Sequence, residues 1–210
     1  MDLSHAEPGA NLTEDERLLD TAESGGGGEV LRFWESPEYF VVVGYGNKAE
    51  TEVNLPACRQ RGIPVLRRCS GGGTVVQGPG CLNYALVLSI AQRPGLENIT
   101  AANRYIMARN CAALAGTLKS PAAKVAVQGH TDLAWNGLKF SGNAQRRRRH
   151  FLLFHGTFLL DFNLAMISEL LPPPSRQPEY RANRPHENFL INLNIPAETV
   201  KVALRQAWQD

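Results

Sequence analysis

Residues 67–76 read RRCSGGGTVV, a glycine-rich loop with two arginines directly before it and an apolar strand predicted on each side. Three consecutive glycines leave backbone N–H groups unshielded by side chains, so an anion can approach the main chain closely. The guanidinium of Arg67 or Arg68 can hold a carboxylate or phosphate with two parallel hydrogen bonds, and Ser70 adds a hydroxyl. The loop lacks the GKS or GKT ending of a nucleotide-binding P-loop. On its own it is either a ligand cradle or a plain turn between strands.

The sequence on both sides of this loop predicts short strands, several of them joined by hairpins, together with a few helices. Asn136-Gly137 is the strongest short hairpin signal, because both residues accept the left-handed backbone of a two-residue turn. This combination predicts an α+β fold with a largely antiparallel mixed sheet flanked by helices. The predicted strands are 30–34, 39–43, 63–66, 74–76, 84–90, 125–127, 132–135, 138–141 and 151–162, and the predicted helices are 14–23, 54–61, 101–118, 164–171 and 196–208.

Composition limits the class of protein. The chain has 210 residues, of which 43% are hydrophobic and 20% charged, with a formal net charge of +2. These values are typical of one folded domain and argue against a disordered chain. No run of about 18 apolar residues is present, and the first residues have neither a basic nor an apolar signal region, so we expect a cytoplasmic protein without a membrane span. The four cysteines form no CxxC pair, which argues against a disulfide framework and a thiolate zinc site.

Charge is unevenly distributed along the chain. Residues 1–28 contain seven acids and one arginine, which leaves the remainder with a balance of +8. Within this segment Thr13 and Glu16 have the spacing of a capping box, and four glycines, Gly25 to Gly28, follow as a flexible connection. We therefore expect an acidic N-terminal segment, 1–28, with one helix, followed by the main domain, 29–210. A basic body indicates an anionic ligand or partner, which is a phosphate, an acidic protein or a nucleic acid.

Three further features are each open to two interpretations. Lys139 follows the predicted hairpin turn, and strand alternation places it on the same face of the strand as Ser141. It is either an exposed lysine or a site residue. His155 interrupts an apolar strand, and it is either a satisfied core residue or part of a pocket that faces the glycine-rich loop. Arg146 to Arg149 form a basic run in a predicted loop, where a solvated run is favoured over binding to an acidic protein or a nucleic acid.

The order of the motifs carries more information than any one of them. The motifs are LRFW from Leu31, VVG from Val42, RRxSGGGTV from Arg67, GxLNY from Gly80, DL at Asp132, NGxKxSGNAQ from Asn136, HGTxLL from His155, and YR at Tyr180 with Arg184 and His186. In this order the motifs resemble the lipoate–protein ligase family over residues 12–208. The resemblance implies the α+β fold that this family shares with biotin–protein ligases and lipoyl or octanoyl transferases.

The resemblance implies a reaction in two steps. The carboxylate of lipoate or octanoate attacks ATP, giving acyl-AMP and pyrophosphate, and a lysine of a lipoyl domain or a glycine-cleavage H protein then takes the acyl group. ATP, with the Mg²⁺ that usually accompanies it, is the implied cosubstrate. Lys139 would be the catalytic cation beside the acyl carbonyl and the phosphate. The implied substrate- and adenylate-binding residues are Arg68, Ser70, Gly71, Gly72, Gly73, Asn83, Ser141, Gly142, His155 and Thr157.

The sequence departs from the family pattern at three places, of which Cys69 lies at a position that varies in the family and carries no inference. Gln77 stands where many members have histidine, so metal or phosphate contacts at this position are in question, and no metal ligand is assigned. The chain ends at Asp210, without the small C-terminal domain of the larger bacterial ligases. A short form is therefore expected, with a separate accessory subunit as a candidate partner and no membrane partner.

Three functions remain open on the sequence. An ATP-dependent ligase is favoured. An ATP-independent octanoyl or lipoyl transferase needs a cysteine that carries the acyl group as a thioester. In the related transferases that cysteine follows the lysine, but no cysteine follows Lys139 here, so Cys69 or Cys81 would have to replace it. The third function is a lipoate-binding protein without turnover.

Overall fold

The computed structural model describes residues 1–118 and 124–209. Its strands are β1 (Val30–Trp34), β2 (Phe40–Val43), β3 (Val65–Arg67), β4 (Val75–Gln77), β5 (Cys81–Ser89), β6 (Val125–Gln128), β7 (Asp132–Trp135), β8 (Leu138–Arg147) and β9 (Phe151–Leu159). Its α-helices are α1 (Pro8–Glu23), α2 (Ala49–Glu52), α3 (Leu55–Gln60), α4 (Ile99–Thr117), α5 (Ala165–Leu170) and α6 (Ala197–Ala207), and short 3₁₀ turns cover Glu179–Arg181 and His186–Asn188.

The strands form two sheets. The larger has the order β1-β5-β9-β8-β7-β6, and every neighbouring pair in it is antiparallel. The smaller has the order β3-β2-β4, in which β2 runs parallel to β3 and antiparallel to β4. The predicted α+β class, with a largely antiparallel mixed sheet flanked by helices, is confirmed.

The larger sheet is covered on both faces. Every residue of β5 is buried, because this strand lies between β1 and β9 and has helices above and below it. Neighbouring residues of the strand point to opposite faces. Leu86 packs in one core with Ile106 of α4 and Leu204 of α6, whereas Val87 packs in another with Leu19 of α1.

No helix in the described ranges combines the length and the apolar character that crossing a membrane requires. The cytoplasmic location inferred from the sequence stays a prediction.

Helix α1 is longer than predicted. It begins at Pro8, because the Glu7 carboxylate accepts hydrogen bonds from the N–H groups of Gly9 (2.9 Å) and Ala10 (2.6 Å). Proline suits the first helical position, where an N–H group would lack a partner within the helix. The predicted capping box at Thr13 is therefore wrong, and the Thr13 hydroxyl donates to the Gly9 carbonyl inside the helix instead. The division into residues 1–28 and 29–210 stays a prediction.

The hairpin between β7 and β8 carries Lys139. Its turn has φ values of +51° at Asn136 and +81° at Gly137, the left-handed pair expected of a two-residue Asn-Gly turn. The predicted hairpin is confirmed.

A bulge in β8 changes which residues share a face with Lys139. The pairing shifts by one residue between Leu133 and Ala134, so β8 has an extra residue opposite this point of β7. Lys139 therefore pairs with Ala134 but Ser141 pairs with Leu133 of the core, and strict alternation from Lys139 is broken. The prediction that these two residues share one face is wrong, because a period of two does not reveal an inserted residue.

The boundary of β8 also changes the interpretation of the arginine run. The strand continues to Arg147 rather than ending at Ser141, so Arg146 and Arg147 lie on a strand. Only residues 148–150 form the turn to β9. The prediction of a loop is therefore wrong for the first half of the run.

Candidate active site

A cavity of about 970 Å³ has walls from both sheets. Further walls come from α1, through Leu12 and Asp15, and from residues 172–190. Every site residue predicted from the sequence lines this cavity except Ser70 and Gly71. The topology therefore brings together residues that lie as much as 89 positions apart in sequence, Arg68 and Thr157 among them.

The glycine-rich loop forms one wall with its backbone. Gly72 has a φ of +85°, which favours glycine, and a Cβ at Gly44 would meet the Gly72 carbonyl oxygen at 2.1 Å. Arg67 points away from the cavity and fixes the facing segment, since its Nη1 donates to the carbonyls of Gly44 (2.8 Å), Tyr45 (3.0 Å) and Asn47 (2.8 Å). Of the two arginines, Arg67 has a structural role.

Arg68 is the arginine that lines the cavity. Its Nε donates to Ser70 Oγ at 3.0 Å, and its Nη2 donates to the carbonyls of Gly71 and Gly73, both at 2.7 Å. Desolvation lowers the pKa of Arg68 to about 10, which still leaves it a cation at neutral pH. The hydrogen bonds found in the described part of the chain leave Nη1 unused, so this edge of the guanidinium can receive an anion.

His155 faces the glycine-rich loop rather than packing only in the core. Its Nε2 is 2.5 Å from Ser70 Oγ, and its Nδ1 is 3.4 Å from Asp15 Oδ2. Because Ser70 accepts from Arg68, its hydroxyl hydrogen is available to Nε2, which makes Nδ1 the donor to Asp15. Asp15 also accepts from buried Arg32 at 2.6 Å. This series of hydrogen bonds anchors the glycine-rich loop to α1, and Ser70 is fully buried within it.

Lys139 reaches the cavity over Gly142. Its Nζ lies 2.8 Å from Asp132 Oδ1, and a quarter of its side chain is exposed. A Cβ at Gly142 would come within 2.9 Å of Nζ, so the missing side chain gives the lysine its path. The Tyr180 hydroxyl donates to Asp132 Oδ2 at 2.7 Å, and burial together with the Asp132 charge raises the pKa of Tyr180. The arrangement holds one cation in place at the cavity wall.

Thr157 is the centre of a polar row beside this lysine. The register of β5, β9 and β8 aligns Asn83, Thr157 and Gly142 across the sheet. The Thr157 hydroxyl donates to Asn83 Oδ1 at 2.6 Å and accepts from the Gln77 amide. Among the described residues, Gln77 Oε1 and Asn83 Nδ2 are buried without a hydrogen-bond partner. Gln77 therefore belongs to the wall built on Thr157.

Residues 172–190 close the cavity beside Lys139. This segment is joined to β8, because the Lys139 N–H donates to the Phe189 carbonyl at 2.8 Å. Arg181 and Arg184 fix its conformation, since the Nε of each donates to the backbone carbonyl of the other, at 3.0 and 3.1 Å. Burial and the neighbouring Arg181 lower the pKa of His186, so this histidine is neutral at pH 7. These residues of the YR motif support the wall.

The four cysteines all lie in the described ranges, and none of them lines the cavity. Burial, together with the Glu16 charge, raises the pKa of Cys69 to about 11, and burial also raises the pKa of Cys81. A thiol with a raised pKa is a weak nucleophile at neutral pH, because the thiolate is the reactive form.

Helix α1 is the acidic partner of the arginine run. Arg148 Nη2 lies 2.8 Å from Asp20 Oδ1. The Glu23 carboxylate accepts hydrogen bonds from the backbone N–H groups of Arg149 and Phe151, at 3.1 and 3.0 Å. The uneven charge of the sequence is thus partly balanced within the molecule.

Sequence reasoning missed three residues that complete the site. Asp132 pairs with Lys139 and Tyr180 donates to Asp132, and their only signal was membership in the DL and YR motifs. A register argument would have found Asp132, because a hairpin with an Asn-Gly turn brings β7 back beside the lysine strand. Asp15 carried no signal among the other acids of the N-terminal segment.

The profile of the family described as lipoyl protein ligase A/B catalytic domain matches residues 7–206. The chain belongs to this family. The family resemblance carried by the ordered motifs is confirmed, and the protein is an enzyme of the lipoate ligase and octanoyltransferase family.

The relatives of this chain include proteins named octanoyltransferase and proteins named lipoate-protein ligase. Octanoyltransferase LipM of Lysinibacillus sphaericus is 27% identical over 226 residues, covering 96% of this chain and 82% of the relative. A lipoate-protein ligase A structure bound with ATP is 25% identical, with a TM-score of 0.75 over 99% of this chain and 83% of the other. A bipartite lipoate protein ligase of Thermoplasma acidophilum, studied with its E2 lipoyl domain, shares the fold with a TM-score of 0.77 at 22% identity, over 99% of this chain and 81% of the other.

Proposed function

We propose that this enzyme is an ATP-dependent lipoate–protein ligase, which activates lipoate or octanoate as acyl-AMP and transfers the acyl group to a protein lysine. One observation carries the proposal. The cavity joins Arg68 and Lys139, two of the cations in its lining, to a glycine-rich backbone wall, and the four cysteines lie outside this lining. Such a site is suited to a substrate with concentrated negative charge, and it offers no thiol for a covalent acyl intermediate.

In the first step the acid carboxylate attacks the α-phosphorus of ATP. A bond forms between a carboxylate oxygen and phosphorus, and the bond from phosphorus to the pyrophosphate oxygen breaks. Negative charge builds on the phosphoryl oxygens, where Lys139 and the open edge of Arg68 stabilise it. The N–H groups of Gly72 and Gly73, which line the cavity, contribute in the same way.

In the second step a lysine amine of the acceptor attacks the acyl carbon. The amide C–N bond forms, the bond from carbon to the AMP oxygen breaks, and the amine loses a proton. Charge then develops on the carbonyl oxygen and on the departing phosphate, so Lys139 acts on both steps. The proposed acceptor is a lipoyl domain or an H protein, and a separate accessory subunit stays part of the proposal.

The acyl chain has an apolar region of the same cavity available. Leu12, Trp34 and Val42 line the wall next to His155 and the glycine-rich loop. Burial of each methylene against such a wall contributes about 0.8 kcal/mol. The acid would therefore lie with its tail toward α1 and its carboxylate toward Lys139.

Mg²⁺ would arrive as part of the nucleotide substrate. In residues 1–118 and 124–209 no group of three or more His, Cys, Asp or Glu side chains is arranged to hold a metal ion. We propose that the phosphates lie against Arg68, Lys139 and the backbone of the glycine-rich loop, whose cationic and N–H groups fit the anionic oxygens of a nucleotide.

An ATP-independent transferase is the second candidate function, because the LipM relative bears that name. Its chemistry needs a thiolate at the acyl carbon. Cys69 and Cys81 would have to supply it, although both have raised pKa values and neither lines the cavity. These observations favour the ligase.

The test is the intact mass of a purified lipoyl-domain acceptor after incubation with the enzyme, octanoate or lipoate, and Mg-ATP. We expect one acyl group per acceptor, formed only with ATP. Lys139→Ala should lower the rate by about 10²- to 10³-fold. Lys48→Ala removes an exposed lysine outside the cavity and serves as the matched control.

Transfer from an acyl carrier protein without ATP would overturn the ligase proposal and direct attention to an acyl thioester trapped on Cys69 or Cys81, which Cys69→Ser or Cys81→Ser should abolish. Binding of the acid without any product would support the third function, a lipoate-binding protein. Product that forms only after a second protein is added would identify the accessory subunit.

A further inference from the structure

A chain of buried hydrogen bonds crosses the core from the end of α6 to the turn before β7. Trp208 Nε1 donates to Asn110 Oδ1 at 2.8 Å, and Asn110 Nδ2 donates to the Tyr84 hydroxyl at 2.9 Å. The Tyr84 hydroxyl donates to Asn143 Oδ1 at 2.7 Å, and Asn143 Nδ2 donates to the Thr131 carbonyl at 2.7 Å. Asn110 and Tyr84 have 0% and 1% of their surface exposed, so water does not compete for these bonds.

The direction of this chain is fixed at both ends. The indole of Trp208 can only donate, and the backbone carbonyl of Thr131 can only accept. Asn110 must therefore present its oxygen to the indole and its amide hydrogens to Tyr84. Since the tyrosine hydroxyl already accepts there, its single hydrogen goes to Asn143, whose amide hydrogens are then left for Thr131.

The chain ends one residue from the carboxylate that holds Lys139. Thr131 is bound to Asn143 twice, because its hydroxyl also donates to the Asn143 carbonyl at 2.6 Å. The next residue is Asp132, whose Oδ1 lies 2.8 Å from Lys139 Nζ. Gly156 makes room for this arrangement, since a Cβ there would lie 1.8 Å from Asn143 Oδ1.

We infer that Tyr84 is a positioning residue for the Lys139 ammonium and acts through Asn143, Thr131 and Asp132. Buried hydrogen bonds in a series strengthen one another, and loss of one member leaves both neighbours without a partner. The catalytic meaning of this inference rests on the proposed function, because that proposal assigns Lys139 its role. The geometric claim, that Tyr84 sets the contact between Asp132 and Lys139, does not depend on the proposed function.

The first test measures that contact without any assay of function. Surface lysines of the folded enzyme are reductively methylated with formaldehyde and cyanoborohydride, and the rate at Lys139 is read by peptide mass spectrometry against exposed Lys48. Tyr84→Phe keeps the ring and removes the hydroxyl, and we expect labelling of Lys139 to rise about fivefold or more. Tyr105→Phe is the matched control, because its ring contacts Trp208 while its hydroxyl lies outside the chain.

A second variant covers the case in which Tyr84→Phe does not fold. Trp208→Phe removes the indole donor at the far end, which lets the Asn110 amide reverse and draw the Tyr84 hydrogen away from Asn143. Labelling of Lys139 should rise in this variant also. Labelling within twofold of the parent in both folded variants would overturn the inference.

The kinetic test separates positioning from general stability. In the acylation assay Tyr84→Phe should lower kcat about tenfold and leave KM for ATP and the acid within about twofold. The loss of kcat caused by Tyr84→Phe should largely vanish when Asp132→Asn is already present, because both changes break the same series of contacts to Lys139. Additive losses would show that the tyrosine acts by another route. If the parent enzyme forms no ATP-dependent product either alone or with an accessory subunit, the proposed function fails while the labelling result still decides the inference.

Discussion

Glycine at position 142 is expected to control activity through the space it leaves. In Gly142→Ala the new Cβ would lie 2.9 Å from Lys139 Nζ and 3.0 Å from its Cε, with Asp132 Oδ1 at 3.7 Å. Ordinary contacts of a Cβ atom begin near 3.4 Å, so the ammonium must move by about half an ångström or more. A displacement of about 1 Å in a catalytic group costs up to about 10²-fold in rate. We expect kcat to fall about 10- to 100-fold.

The same substitution should have little effect on folding. Gly142 has no positive φ, and the atoms that the Cβ meets within 3.4 Å are at the far end of the Lys139 side chain rather than in the backbone. Loss of stability should therefore stay below about 1 kcal/mol, which for a chain of this size is a Tm change of about 2–4 °C or less. Gly28→Ala is the matched control, because a Cβ there meets nothing within 4 Å. A kcat within twofold of the parent, at unchanged Tm, would refute the reasoning.

Three other changes test the electrostatic parts of the structure. Arg32→Met leaves the buried Asp15 carboxylate without its closest cation, which should cost about 3–5 kcal/mol and lower Tm by about 10 °C in calorimetry; a change under 3 °C would contradict the buried pair. Cys69, with a pKa raised to about 11, should react with a thiol reagent far more slowly at pH 8 than a free cysteine, and its rate should increase about tenfold per pH unit up to pH 10; fast reaction at pH 7 would contradict the burial of the thiol. Arg148→Ala breaks a partly exposed pair with Asp20 and should change stability by less than about 1 kcal/mol, measured by urea unfolding; a larger loss would show that the pair anchors α1.

Local sequence patterns predicted the parts of the fold that depend on neighbouring residues. The Asn136-Gly137 turn and strands β1 and β7 were predicted residue for residue, because turn chemistry and period-two patterns act over a few positions. The start of α1 was missed, since the Glu7 carboxylate is an uncommon cap and the pattern at Thr13 fits the usual one. The bulge in β8 was also missed, because it is a property of two paired strands.

The residues of the candidate site also fall into two groups, those that a local motif predicts and those that only the fold brings together. The glycine-rich loop and Lys139 are recognisable as motifs, and the cavity brings them together. The contact of Ser70 with His155 joins residues 85 positions apart, and Asp15 reaches the same histidine from α1 across 140 positions. Such contacts follow from packing of the sheets and helices, and a single sequence contains no local signal for them.

Helix α1 is attached to the rest of the molecule by its surface more than by its connection. Leu19 packs with Val87 in one core, and Asp15 pairs with Arg32. In the four-glycine connection, a Cβ added at Gly25 or at Gly28 would meet no other atom within 4 Å. Cutting the chain within the glycines would leave a detachable peptide that carries one wall of the cavity. We therefore expect that the enzyme can be divided into two fragments at the glycines. Activity should return when the acidic helix binds to the larger fragment, so the rate of the reaction would report their reassembly.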